Sequence, residues 1–193
     1  SLQFSYFQTY PARSIIKSMT NWNLRSYINM GYDFRLAKNN EIDTIFSLYK
    51  KRIQWMDKSG IQQWNMTNYL EVYPISYYAD RQRLGELYVL SKEDVVIGAV
   101  VLLQSDECWP QMADSPAYYV HNLVTELSVK GAGKIILSEV EKMAISKGIQ
   151  FLRLDCAVDN KFLNEYYESM GYKMVGCCKE GAYIGNKREK ELH

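Results

Sequence analysis

The run SVKGAGKIIL, residues 128–137, places Gly131, Ala132 and Gly133 between Lys130 and Lys134. Before it, YYVHNLVTEL is rich in β-branched and aromatic residues; after it, KIILSEVEKMAISKG has apolar residues at helical spacing. The small residues therefore stand where a strand gives way to a helix. The first amides of a helix have no internal partner, and the helix dipole adds partial positive charge there. Glycine removes the Cβ that would hold an anion away and permits positive φ. A phosphate or pyrophosphate is a fitting guest, with Lys130 and Lys134 adding charge. A tight strand-to-helix turn without a ligand explains the same residues, and both readings stay open on this motif alone.

Two phosphate loops are tested by position. A Walker loop needs Gly at position 128 and Ser or Thr at 135, where the chain has Ser128 and Ile135. A dinucleotide fingerprint needs a third small residue where Ile136 stands, and several βαβ units beyond it. Asp155 falls about where a ribose-binding acid would, but only the last third of the chain remains.

A second group lies further on. Asn160 and Tyr167 are seven residues apart on a predicted helix, close to two turns, so an amide and a phenol share one face. A tyrosine on an apolar stripe is equally at home in a core, and Asn160 can be a plain cap. His121, on the strand leading to the glycines, is the one internal histidine beside the terminal His193. Trp55, Trp64, Tyr69, Tyr73, Tyr77 and Tyr78 crowd the first half, where aromatics either wall an amine pocket or pack a core.

The elements that must carry these residues follow from patterning. DFRLA (33–37) alternates as a first strand, and residues 41–56 form a helix ended by Gly60. Residues 61–85 read as one helix with loops. ELYVLSKEDVVIGAVVLLQ gives two strands around a KED turn, followed by a loop from Ser105 to Ala117. The helix after the glycines buries Ile136, Val140, Met143 and Ala144 and ends at Gly148. FLRLDC (151–156) is a strand, Asp159 caps the next helix, Gly171 closes it, and two strands finish the domain.

A chain of 193 residues, 47% hydrophobic and 23% charged, supports one domain with an appendage. The net charge of +1 gives no field for nucleic acid or an anionic membrane, and no run reaches the length of a membrane span. The four cysteines, Cys108, Cys156, Cys177 and Cys178, include no CxxC pair, so no metal site is expected and free thiols in a reducing cytoplasm are. Residues 1–32 contain no acid but carry Arg13, Lys17 and Arg25; a transit peptide has such a composition, and a simple N-terminal arm is the preferred reading.

At this point the sequence resembles the GNAT family of acetyl-CoA-dependent N-acetyltransferases. HNLVTELSVKGAGKIILSEVEKMA is similar to that family's CoA-binding signature, with Gly131 and Gly133 on its small-residue positions. LDCAVDNKFLNEYYESMGYKMVG resembles its second signature, and FRLAKNNEIDTIFSLY its first strand and helix. Ser128 departs from the Gln or Arg usual three residues before the first glycine; Lys130 is the residue at hand to replace that charge.

The resemblance implies an α/β (α+β) fold with a mixed, mostly antiparallel central sheet and helices on both faces. It implies an acetyltransferase domain over 33–187, between an arm at 1–32 and a tail at 188–193. Acetyl-CoA would be the co-substrate, held by Leu123, Val124, Thr125, Lys130, Gly131, Ala132, Gly133, Lys134 and Asn160. Tyr167 would protonate the departing thiolate, and His121 would be the base, with Glu126 or a water relay as alternatives. The acceptor is expected to be a small-molecule or peptide amine against Trp55, Trp64 and Tyr78. Homodimerisation through an edge strand is compatible with such a sheet, and a non-catalytic acyl-CoA-binding module is the competing function.

Overall fold

In a computed structural model, residues 31–61, 63–109, 115–181 and 183–193 are described. Most of the expected N-terminal arm lies outside them. The compact unit is Asp33–His193.

Seven strands form one sheet in the order β1-β2-β3-β4-β5-β7-β6. They are β1 (Tyr32–Leu36), β2 (Leu87–Lys92), β3 (Val95–Leu103), β4 (Ala117–Thr125), β5 (Phe151–Ala157), β6 (Lys173–Glu180) and β7 (Tyr183–Glu191). The β2–β3, β3–β4, β5–β7 and β6–β7 pairs are antiparallel, while β4–β5 is parallel. Between β2 and β3, Glu93 and Asp94 both take positive φ (50° and 64°), the turn whose twist matches its flanking strands. Residues 188–191, expected as tail, continue β7, and Glu191 pairs with Phe151.

The longer helices are α1 (Ile42–Ser59), α3 (Ile75–Arg83), α4 (Ala132–Ser146) and α5 (Lys161–Ser169), with a four-residue α2 (Tyr69–Val72). The single helix expected over 61–85 is a 3-10 turn at Trp64–Met66 followed by α2 and α3. Pro74 stands at the N-cap of α3 with an extended backbone, so α2 cannot run on into it.

Alternate residues of β3 serve opposite faces, as strand geometry requires. Ala99 and Val101 join the core under α1 and α3, with Ile45, Leu48, Tyr49 and Tyr78. Gly98 faces α4, where a Cβ would stand 2.7 Å from Ile136 Cδ1 and 3.1 Å from the Val124 carbonyl oxygen. The missing side chain lets α4 lie close on the sheet. Gly148 (φ 70°) and Gly171 (φ 90°) follow α4 and α5 in the left-handed conformation anticipated for helix ends.

Candidate active site

β4 and β5 are joined at only three positions: Ala117 with Phe151, Tyr118 with Leu152 and Tyr119 with Arg153. Beyond Tyr119 the two strands part, although β4 runs to Thr125 and β5 to Ala157. A cavity of about 1690 Å³ includes this gap, with His121, Asn122, Leu123 and Thr125 on one wall and Leu154 and Asp155 on the other. The buried Arg153 braces the closed end, donating from Nε to Glu189 (2.8 Å) and from Nη1 to the Tyr119 hydroxyl (2.8 Å).

β4 itself is bent inside the gap. Its register with β3 jumps from Val101–His121 to Ala99–Val124, a bulge that sets Asn122 and Leu123 against a single residue. Asn122 takes φ 52°, uncommon away from glycine. Three tyrosines hold it. Tyr49 donates its hydroxyl to the Asn122 carbonyl (2.5 Å), Tyr77 donates to Oδ1 (3.2 Å), and the Asn122 side-chain amide donates to the Tyr69 hydroxyl (2.5 Å). Across a trans peptide the N–H points opposite to the C=O. With the Asn122 carbonyl turned to Tyr49, the Leu123 N–H points away from that tyrosine. Arg52 completes the strand end, giving Nη2 to the Thr125 carbonyl at 2.8 Å.

The turn after β4 ends at Gly131, which caps α4 at φ 81° with nothing within 4 Å of where a Cβ would lie. The first intrahelical bond comes from Lys134 N to Gly131 O (3.0 Å), so the amides of Gly131, Ala132 and Gly133 precede the helix's own ladder. Gly133 lines the cavity, with the Tyr166 hydroxyl 3.6 Å from its Cβ position. Lys130, Gly131 and Lys134 are exposed, and Ala132 is buried. This open, amide-lined turn fits a pyrophosphate. The Val124 side chain is buried in the core under α1, so only its main chain is left to meet a coenzyme.

Asn160, rather than Asp159, caps α5: its Oδ1 accepts from Leu163 N (3.0 Å), and its Nδ2 donates to Gln63 Oε1 (3.2 Å). Both Asn160 and Tyr167 line the cavity, as their spacing on one face suggests. Burial pushes the Tyr167 phenol well above its ordinary pKa, so the side chain stands in the cavity as a protonated donor.

His121 and Asp106 share the cavity wall, with His121 Nε2 2.8 Å from Asp106 Oδ2. Burial works to raise the Asp106 pKa, but hydrogen bonds from His121 and the Cys108 amide hold it below the usual range. Glu126 is engaged elsewhere, accepting from Lys51 Nζ at 3.0 Å. Opposite, Tyr183 donates to Asp155 Oδ2 (2.5 Å) over Gly185, where a Cβ would meet Asp155, Cys178 and Tyr183 all at 2.9 Å. Cys178 lines the same wall, and burial lifts its thiol to about 12. It is a poor nucleophile in that state.

The aromatic cluster divides. Trp55 and Trp64 line the cavity; Arg52 lies over the Trp55 ring at 5.2 Å, and Trp64 stacks on Tyr69 at 4.5 Å. Tyr78 is a correction: it is fully buried, stacked on Tyr49 at 4.5 Å, and contributes to the core under the bulge rather than to an acceptor wall. Asp106 and Tyr49 carry no functional signal in the sequence. The first sits in a loop with no periodicity, and the second reads as one more apolar position of α1.

Residues 51–172 match the model of the acetyltransferase (GNAT) family. The chain belongs to the GNAT family. It is an acetyl-CoA-dependent N-acetyltransferase with that family's fold. An uncharacterized N-acetyltransferase of Bacillus subtilis, YesJ, is 24% identical over 162 residues, 78% of this chain and 87% of that protein. A GNAT family acetyltransferase from Listeria monocytogenes superposes with a TM-score of 0.71 at 25% identity, over 83% of this chain and 95% of that one. The PaiA N-acetyltransferase of Thermoplasma acidophilum, solved in complex with coenzyme A, has a TM-score of 0.66 at 18% identity, over 84% of this chain and all (100%) of that one.

Proposed function

We propose that this GNAT enzyme acetylates a primary amine of a small molecule or peptide by direct attack of the amine on the thioester of acetyl-CoA. The observation that carries the reading is the cavity that includes the β4–β5 gap, which brings Gly133, Leu123, Tyr167 and His121 onto one space. Its volume of about 1690 Å³ exceeds the ~300–1,000 Å³ of an ordinary small-molecule pocket, leaving room for a coenzyme arm and an acceptor together. The Thermoplasma relative, solved in complex with coenzyme A, supports the same coenzyme for this chain.

The amides of Gly131, Ala132 and Gly133 and the charge of Lys130 and Lys134 bind the pyrophosphate. The free edge of β4 at Leu123 and Thr125 bonds the pantetheine arm, and Asn160 helps from α5. The Leu123 N–H steadies negative charge growing on the thioester oxygen in the transition state. An alkylammonium, with a pKa near ~10.4, must shed a proton before it attacks, and His121 receives it. As the C–S bond breaks, the departing thiolate, whose conjugate acid has a pKa near ~8.5, takes a proton from Tyr167, and the second proton shed by the attacking nitrogen restores the phenol. The raised pKa of Cys178 favours direct transfer over an acyl-cysteine route. Trp55 and Trp64 contact the acceptor.

Thiol release from acetyl-CoA across a panel of amines tests this reading. Amine-dependent release, with mass gain on the acceptor, is expected. Coenzyme A that stabilises the protein against heat while no amine or peptide supports release would instead identify a binding module.

A further inference from the structure

Asp106 belongs to the loop between β3 and β4, and both of its carboxylate oxygens are committed. Oδ1 accepts from the Cys108 amide at 2.7 Å, and Oδ2 meets His121 Nε2 at 2.8 Å. The carboxylate is only 10% exposed. Its turn is closed by Trp109 N donating to the Asp106 carbonyl (3.0 Å), and Trp109 is anchored in a cluster with Ala117 and Tyr119. The loop thus presents this carboxylate to the ring from a fixed base.

We infer that Asp106 is the positioning residue for His121, holding the proton of the neutral imidazole on Nε2 and so leaving Nδ1 as the nitrogen that accepts the substrate's proton. This rests on the reading of His121 as the base. An ionised carboxylate can only accept, so the nitrogen facing it must donate, and a neutral imidazole then carries its lone pair on the other nitrogen. Among the described residues Nδ1 makes no hydrogen bond of its own. When the ammonium gives its proton to Nδ1, the N–H bond of the substrate breaks and an Nδ1–H bond forms. The imidazolium charge lies beside the Asp106 carboxylate, and the proton later leaves Nδ1 for solvent through the cavity.

The Cys108 clamp makes Asp106→Asn an informative change. The new side chain's oxygen stays on the Cys108 N–H, which turns its NH2 toward Nε2. A donor there forces the ring proton onto Nδ1 and caps the base.

Nitrogen NMR of histidine-labelled protein reads the tautomer directly, and with two histidines in the chain one His193 substitution assigns the signals. The unaltered protein is expected to show Nε2 protonated and Nδ1 bare, and Asp106→Asn the reverse. In kinetics, Asp106→Asn should lower kcat by about 100-fold with little change in the KM for acetyl-CoA. Combining it with His121→Ala should cost no more than His121→Ala alone. A proton on Nδ1 in the unaltered protein, or full kcat in Asp106→Asn, overturns the inference. Full turnover in His121→Ala overturns the base assignment and this inference with it, whereas the first two results leave the transferase reading standing.

Discussion

Replacing Tyr49 by Phe removes one oxygen from a fully buried ring and leaves the stacking on Tyr78 in place. The hydroxyl lost is the one that donates to the Asn122 carbonyl at 2.5 Å. A buried hydrogen bond is worth about 1 kcal/mol net, and stranding its acceptor raises the cost to roughly 1–3 kcal/mol. For a chain of this length each kcal/mol moves Tm by about 2–4 °C, so a fall of roughly 2–12 °C is expected in a thermal melt. The same bond sets the direction of the Asn122–Leu123 peptide, and the bulge residue is in a conformation that L-residues resist. With the carbonyl released, the Leu123 N–H loses its aim and kcat should drop about tenfold, equivalent to ~1.4 kcal/mol of transition-state stabilisation. The KM for acetyl-CoA should change little, since the turn at Gly131–Gly133 is untouched. Circular dichroism melts paired with initial-rate kinetics are the assay. An unchanged Tm together with an unchanged kcat would refute the idea that this hydroxyl holds the bulge.

Tyr167→Phe should cut kcat by about 10²-fold while coenzyme A affinity, measured by calorimetry, stays the same; equal turnover would remove its acid role. Gly131→Ala meets no atom but must keep φ 81°, so the change should cost about 1 kcal/mol in unfolding free energy and weaken coenzyme A binding. Gly98→Ala drives a methyl against Ile136 and the Val124 carbonyl, and a loss of about 1–3 kcal/mol in a urea melt is expected. Arg35 binds Glu41 through two hydrogen bonds, 2.9 and 2.7 Å, and that bond leads the causes holding the Glu41 carboxyl below its usual pKa. A depressed folded pKa stabilises above the unfolded value, near ~4.3, and is lost as pH falls through the folded one. The Tm gap between the unaltered protein and Arg35→Leu should therefore be present at neutral pH and shrink under acid.

What could be read beforehand was whatever local patterning dictates. The alternation of β2 and β3, the stripe of α4 and the glycines at 148 and 171 are all short-range signals, and the structure has them. The open turn that starts α4 was legible because it needs small residues in sequence. The bulge was not, because HNLVT has no glycine and reads as an unbroken strand; its cause lies in Tyr49, Tyr69 and Tyr77, at least 45 residues away. For the same reason Tyr78 looked like a pocket residue: aromatic composition does not say which ring faces inward. Asp106 acquires meaning only from the fold that brings it to His121. The final residues look too charged for a strand, yet β7 pairs Glu189 with Arg153 and Arg188 with Leu154.

The three rungs between β4 and β5 make the molecule two leaves stitched along a short seam. One leaf, β1 through β4, is built from the first two thirds of the chain, and the other from the last strands. The strands part where the seam ends, and the Asn160–Gln63 hydrogen bond spans the cleft further out. Arg153, reaching to Tyr119 on one leaf and Glu189 on the other, is the rivet at the seam. A small shift at that rivet is magnified with distance along the diverging strands, so a residue set back from the cavity bears on the width of its mouth.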